Sequence, residues 1–87
     1  MAGENELTWE IILLLYRDEE KDALNIASLV LKSRSEVNRI LYHRRDLFSK
    51  RASPYSARPM WSLTNDGIEV YDLVHANSEI NVNMPLF

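Results

Sequence analysis

The chain has no cysteine, so it can build no disulfide framework, thiolate nucleophile or cysteine-based zinc site. Its two histidines, His43 and His75, lack nearby cysteine or paired carboxylates and make a poor basis for a metal centre. Glycine is scarce, with two residues in the whole chain, and no glycine-rich loop is present to cradle a phosphate group. No cluster of nucleophile, base and orienting group is found either, so enzymatic activity is a poor reading and no cofactor or metal is expected. Long apolar runs are also missing. The longest, residues 11–16, falls far short of the roughly 20 residues needed to cross a bilayer. The acidic start lacks the basic segment of a signal peptide. A soluble protein with no membrane partner, in the cytoplasm or nucleus, is the expectation.

What remains is a chain of 87 residues, 46% hydrophobic, enough for one small domain with a compact core. It is neither repetitive nor low in complexity. Its net charge of −3 hides a division along the sequence. Lys32, Arg34, Arg39, Arg44, Arg45, Lys50, Arg51 and Arg58 face only Glu36 and Asp46 in the segment 32–58, a net +6 that leaves −9 for the flanks. Such segregation fits a polyanion-binding face on an acidic body, and equally a solvated basic helix and hairpin.

Glu4, Glu6 and Glu10 suit the positive end of a helix dipole, and Leu7, Ile11, Leu14 and Leu15 recur at helical spacing, which predicts a first helix over residues 4–17. Trp9, Leu13 and Tyr16 on its other side call for a second cover, supplied by a C-terminal element. After a polar connection at 18–22, Ala23 and Leu24 read as a minimal strand, with Asn25 capping a short helix over 26–31. Ser33 with Glu36 forms a capping box that opens a third helix through SRSEVNRILYHRRD, so the pair of helices reads as a helix-turn-helix. LFSKRAS, PYSARP and MWSLT then read as strand, proline-bounded loop and strand, a β-hairpin wing. The stretch from Thr64 to Gly67 opens a last helix carrying Ile68, Tyr71 and Val74 or His75, expected to pack on the first. The expected class is α+β, a winged helix-turn-helix of three helices and a hairpin with an additional C-terminal helix. Residues 1–76 form the domain and 77–87 a loosely held tail.

On the third helix Val37, Ile40, Leu41, Leu47 and Phe48 share one arc, the predicted core side. The opposite arc carries Arg34, Ser35, Asn38, Arg39, Tyr42 and Arg45: cations, an amide and one aromatic ring. That set suits phosphate contact with a stacking platform. Trp61 on the second wing strand is expected to approach the same helix and hold Tyr42 edge to face. Arg44 projects into the apolar arc, so either its stem snorkels or the helix ends early.

SEVNRILY, followed nineteen residues after Tyr42 by Trp61 in ARPMW, resembles the Zα domains. These occur in double-stranded RNA adenosine deaminases, Z-DNA-binding innate immune sensors, fish Z-DNA-dependent kinases and viral interferon-resistance proteins. The resemblance covers residues 7–63 and is carried by the Asn-Arg-x-x-Tyr spacing joined to Pro-x-Trp in the wing. It implies binding of left-handed Z-form double-stranded DNA or RNA. Tyr42 would pack on a syn purine, Asn38 and Arg39 would contact zigzag phosphates, and Trp61 would brace the tyrosine and join the water network. It also implies a monomer alone, with two monomers on opposite strands of a duplex, in innate immune sensing or its viral antagonism. The family's lysine pair at the helix start is here Arg34 and Ser35. Of its two wing prolines Pro59 remains, with Arg58 in the first place, where a cation can replace packing with a phosphate contact. The family's glycine between helix and wing is absent. Two other readings stay open. A reader of right-handed B-DNA would use Ser35 and Asn38 on base edges. A protein-interaction winged helix would use Trp9, Tyr16 and Tyr71 as its partner surface.

Overall fold

The computed structural model describes residues 2–83. The elements follow in the order α1 (Ala2–Asp18), β1 (Glu20–Asp22), α2 (Ala23–Val30), α3 (Arg34–His43), β2 (Phe48–Ser53), β3 (Ser56–Leu63) and α4 (Asn65–Asn83). The three strands form one antiparallel sheet in the order β1-β3-β2. This is the expected winged helix-turn-helix with an added C-terminal helix.

The core gathers where the helices meet the middle strand. Ile11 and Leu15 of α1, Ile26 of α2, Val37, Ile40 and Leu41 of α3, and Phe48 and Trp61 of the wing are all buried. Each such side chain removes apolar surface that stabilises the fold by about 1.5–3 kcal/mol relative to exposure. Leu47 and Phe48 are buried as expected, but from the turn and the first wing strand rather than from the helix. The helix ends at His43, with Arg44 as its C-cap: the Arg44 N–H donates to the Ile40 carbonyl at 3.0 Å, at φ −117° and ψ 55°. Its guanidinium turns to Asp46, 3.0 Å away. The early ending accounts for an arginine at a position that would otherwise face the core.

The minimal strand lies earlier than Ala23 and Leu24, at Glu20–Asp22. Three charged residues have little strand propensity of their own. Pairing with β3, Glu20 to Ser62 and Asp22 to Met60, makes the strand. Asp22, not Asn25, caps α2, its carboxylate accepting the Asn25 N–H at 2.8 Å. Leu31 closes that helix in the left-handed region at φ 59°, and Ser33 then opens α3 with the expected capping box. The backbone N–H of Ser33 donates to Glu36, which holds that carboxyl below its ordinary range.

The hairpin loop is shorter than PYSARP. β3 begins at Ser56, so Arg58 and Pro59 sit within the strand. Pro59 lies between the Arg51–Met60 and Ser53–Ser56 pairs, where the ladder is irregular and β1 no longer pairs, so its missing N–H leaves no regular ladder bond unmade.

α4 packs on α1 through a ring stack. Tyr71 lies 3.7 Å from Tyr16 and 5.9 Å from Trp9 between ring centroids, and the Tyr16 hydroxyl donates to Asp72 at 3.4 Å. This is the cover that α1 needs on its second face. α4 runs through Asn83, across the first part of the segment expected as a tail from Asn77. Residues 84–87 of that expected tail lie outside the described residues.

The start of α4 is fastened to the turn after α3. The Thr64 hydroxyl donates to the Asp46 carbonyl at 2.6 Å and accepts from the Gly67 N–H at 3.0 Å, while the Thr64 N–H donates to the Leu47 carbonyl at 2.9 Å. A Cβ on Gly67 would stand 2.5 Å from the Leu47 carbonyl oxygen, a backbone atom with little room to yield. Gly67→Ala is therefore expected to destabilise the domain by about 1–3 kcal/mol, the range for overpacked sites. Urea unfolding checks this through a lower midpoint at unchanged slope. An unchanged midpoint would show that the helix start shifts freely away from the turn.

Candidate nucleic-acid interface

The face is built by α3 and the wing together. Val37, Ile40 and Leu41 bury one side of α3, and the four-residue spacing places Arg34, Asn38 and Tyr42 in one row along the edge of that side. Arg34, Ser35 and Arg39 are exposed and Asn38 is half-buried. Arg34 and Asn38 form no side-chain hydrogen bond or ion pair among the described residues, which leaves their polar groups to solvent or a ligand. Arg39 lies at the flank of this face, lining a shallow cleft with Asn5, Thr8 and His43 beside α1.

Tyr42 and Trp61 meet as expected. Their ring centroids are 5.1 Å apart with planes at 83°, an edge-to-face pair. Trp61 is fully buried, whereas Tyr42 is 49% exposed. The tryptophan therefore acts as a fixed wall, and the tyrosine presents ring surface to solvent without being free to collapse onto the core. Such a pair contributes about 0.5–1.5 kcal/mol beyond its area burial.

Cations surround the pair. Arg45 belongs to the turn after α3 rather than to the helix face. Its guanidinium carbon lies 5.4 Å from the Trp61 ring, and its Nε donates to the Phe48 carbonyl at 3.3 Å. Lys50, which the sequence reading did not single out, places its ammonium 5.0 Å from the Tyr42 ring and donates to the Tyr42 hydroxyl at 3.4 Å. The signal that would have found it is strand register: Lys50 stands directly across from Trp61. Arg58 is exposed on β3 and Pro59 is half-buried beside it, two residues before Trp61.

Not every cation of the basic segment is available. Arg44 is paired with Asp46, and Arg51 makes a two-pronged pair with Glu20, one arm at 2.7 Å. Hydrogen bonds from these guanidinium groups hold Asp46 and Glu20 below the ordinary carboxylate range. Arg34 on α3, Arg45 in the turn after it, and Lys50 and Arg58 on the wing have no carboxylate partner among the described residues. Among the described residues no group of His, Asp or Glu is placed to hold a metal ion. No helix among them is long and apolar enough to cross a membrane.

Comparison with known proteins bears on the fold. The fold is similar to the Zα domain of Carassius auratus PKZ, solved in complex with Z-DNA, at TM-score 0.62 and 28% identity over 71% of this chain and 98% of that one. It is also similar to the apo-Zα domain of zebrafish PKZ, at TM-score 0.64 and 28% identity over 70% of this chain and 95% of that one. The PcaV transcriptional regulator from Streptomyces coelicolor shares the fold at TM-score 0.71 and 21% identity, over 92% of this chain and 61% of that one. No protein-family model and no curated protein matches the chain. Helix order and sheet topology together define a winged-helix class. Within that class the chain is a Zα-like winged helix.

Trp61→Phe is expected to keep the fold but loosen the wall behind Tyr42, lowering stability by about 1–2 kcal/mol through a partly filled site, less than the 3–5 kcal/mol typical of a tryptophan truncated to alanine. Thermal unfolding together with broadened Tyr42 ring resonances in NMR checks both parts. Sharp, unshifted Tyr42 resonances in the variant would show that the wall is not what holds the ring.

Proposed function

We propose that the chain binds double-stranded DNA and RNA in the left-handed Z form and stabilises that form. The observation that carries this reading is the half-exposed Tyr42 ring held at 83° against the fully buried Trp61. A rigid aromatic face of this kind suits a purine whose own face is turned outward, as a syn purine in a zigzag duplex is. Asn38 and Arg39 would grip successive phosphates, with Arg34, Ser35, Arg45, Arg58 and Pro59 extending the contact along the backbone. The likeness to the PKZ Zα domain in complex with Z-DNA supports the same reading.

Recognition of this kind reads shape and phosphates with little use of base edges, so DNA and RNA in the Z form are both ligands. Preference for alternating purine–pyrimidine sequence enters through the lower energy of the flip from the right-handed form. The domain shifts that equilibrium by mass action, by no more than its difference in affinity for the two forms. The protein acts as a monomer, two copies occupying opposite strands of one duplex. Its place is in innate immune sensing of such duplexes, or in the viral antagonism of that sensing, in the cytoplasm or nucleus. The chain itself performs no chemistry on the duplex.

Competition binding at one fixed salt tests the proposal. The ligands are a cytosine–guanine repeat held in the Z form by bromination of its guanines and a mixed-sequence B-form duplex of equal length. The Z duplex is expected to bind more tightly, and Tyr42→Ala to lose about 10- to 100-fold on it, the range for one aromatic–base stack. Equal or tighter binding of the B duplex would favour a major-groove reader. Binding of neither would favour a protein-interaction module.

A further inference from the structure

We propose that Lys50 is a ligand-contacting residue of this interface, a phosphate-binding cation placed at the hydroxyl edge of Tyr42. The inference rests on the Z-form reading above and adds to it a residue on the wing that grips the backbone beside the stacked base.

Register is the origin of the arrangement. Lys50 and Trp61 are direct partners across β2 and β3, so their side chains leave the sheet on the same face. Trp61 fills that face down to the core, and Lys50 passes over it to reach Tyr42, its ammonium 3.4 Å from the hydroxyl and 5.0 Å from the ring centroid. Its neighbour Arg51 leaves on the other face and is taken by Glu20. Alternation along one strand thus separates a cation used for folding from a cation left for binding. Lys50 is exposed and has no carboxylate partner among the described residues.

The chemistry suits a phosphate. An ammonium carries three N–H donors, and the Tyr42 hydroxyl takes one of them. A base stacked on Tyr42 carries its sugar and phosphate out past the ring edge. At the hydroxyl edge the phosphate meets a compact point charge already held in place by the ring, so little side-chain entropy is lost on binding. The contact also offsets Ser35, which brings no cation to the start of α3.

The test is the salt dependence of binding to the brominated cytosine–guanine duplex, measured for the parent chain, Lys50→Ala and Lys50→Gln. One lost phosphate contact lowers the slope of log K against log salt by about 0.9. Both variants are expected to show that loss, with weaker binding at low salt and convergence toward the parent as salt rises. Lys50→Gln keeps a hydrogen-bonding group near the Tyr42 hydroxyl without the charge, and serves if the alanine variant disturbs the wing. A parent slope kept by both variants would overturn the proposal, and uniform weakening at every salt concentration would make Lys50 a brace for Tyr42 only. Failure of the Z-form reading would show separately, as a parent chain that does not bind the brominated duplex.

Discussion

Trp61 sits where every part of the domain meets, and the consequences of burying it reach outward in each direction. It lies on the middle strand, with Lys21 of β1 on one side and Lys50 of β2 on the other as its direct partners. Beneath it are the apolar side chains of the helices, and above it is Tyr42. A fully buried indole this close to the surface can exist only if α3 and the wing are both locked against it. That requirement fixes the angle between the helix and the hairpin, and hence the face they present together. The binding face is in this sense a by-product of core packing, because the residue that completes the core also determines where an exposed ring must stand.

Charge is arranged around this centre by a second constraint. The chain as a whole is acidic, so a basic face survives only if its cations are kept from the carboxylates of the body. Arg44 and Arg51 are matched with Asp46 and Glu20 and stitch the turn and the sheet edge. Arg45 and Lys50 lie against aromatic rings instead, an environment that favours a cation without neutralising it. The same aromatic pair that forms a stacking surface therefore holds positive charge in place on either side of it.

How much of this is legible in the sequence depends on the distance over which each feature is decided. The capping box at Ser33 and Glu36 and the apolar spacing of Val37, Ile40 and Leu41 are local, and reading them locates α3 and its exposed side. The meeting of Tyr42 with Trp61 is long-range, but the spacing of the two within a winged helix is enough to predict it. Strand β1 is hidden because Glu20, Lys21 and Asp22 become a strand only by pairing with β3. The end of α3 at His43 is hidden because the turn through Arg44 is fastened by Asp46 and Thr64, two partners that helical periodicity does not see. Lys50 is missed for a related reason: its role follows from a one-to-one register with Trp61, and a loop read as PYSARP leaves that register unset. Arg51 looks like one more free cation until Glu20, outside the basic segment, is found beside it.

The central question for this domain is whether the Tyr42 face selects a left-handed duplex. Circular dichroism of an unmodified cytosine–guanine repeat, DNA and then RNA, titrated at low salt with the parent chain, measures this directly. Progressive inversion of the long-wavelength bands, until the chain saturates the duplex, is the result expected of a Z-selective face. Saturating binding that leaves the right-handed spectrum unchanged would contradict that selectivity.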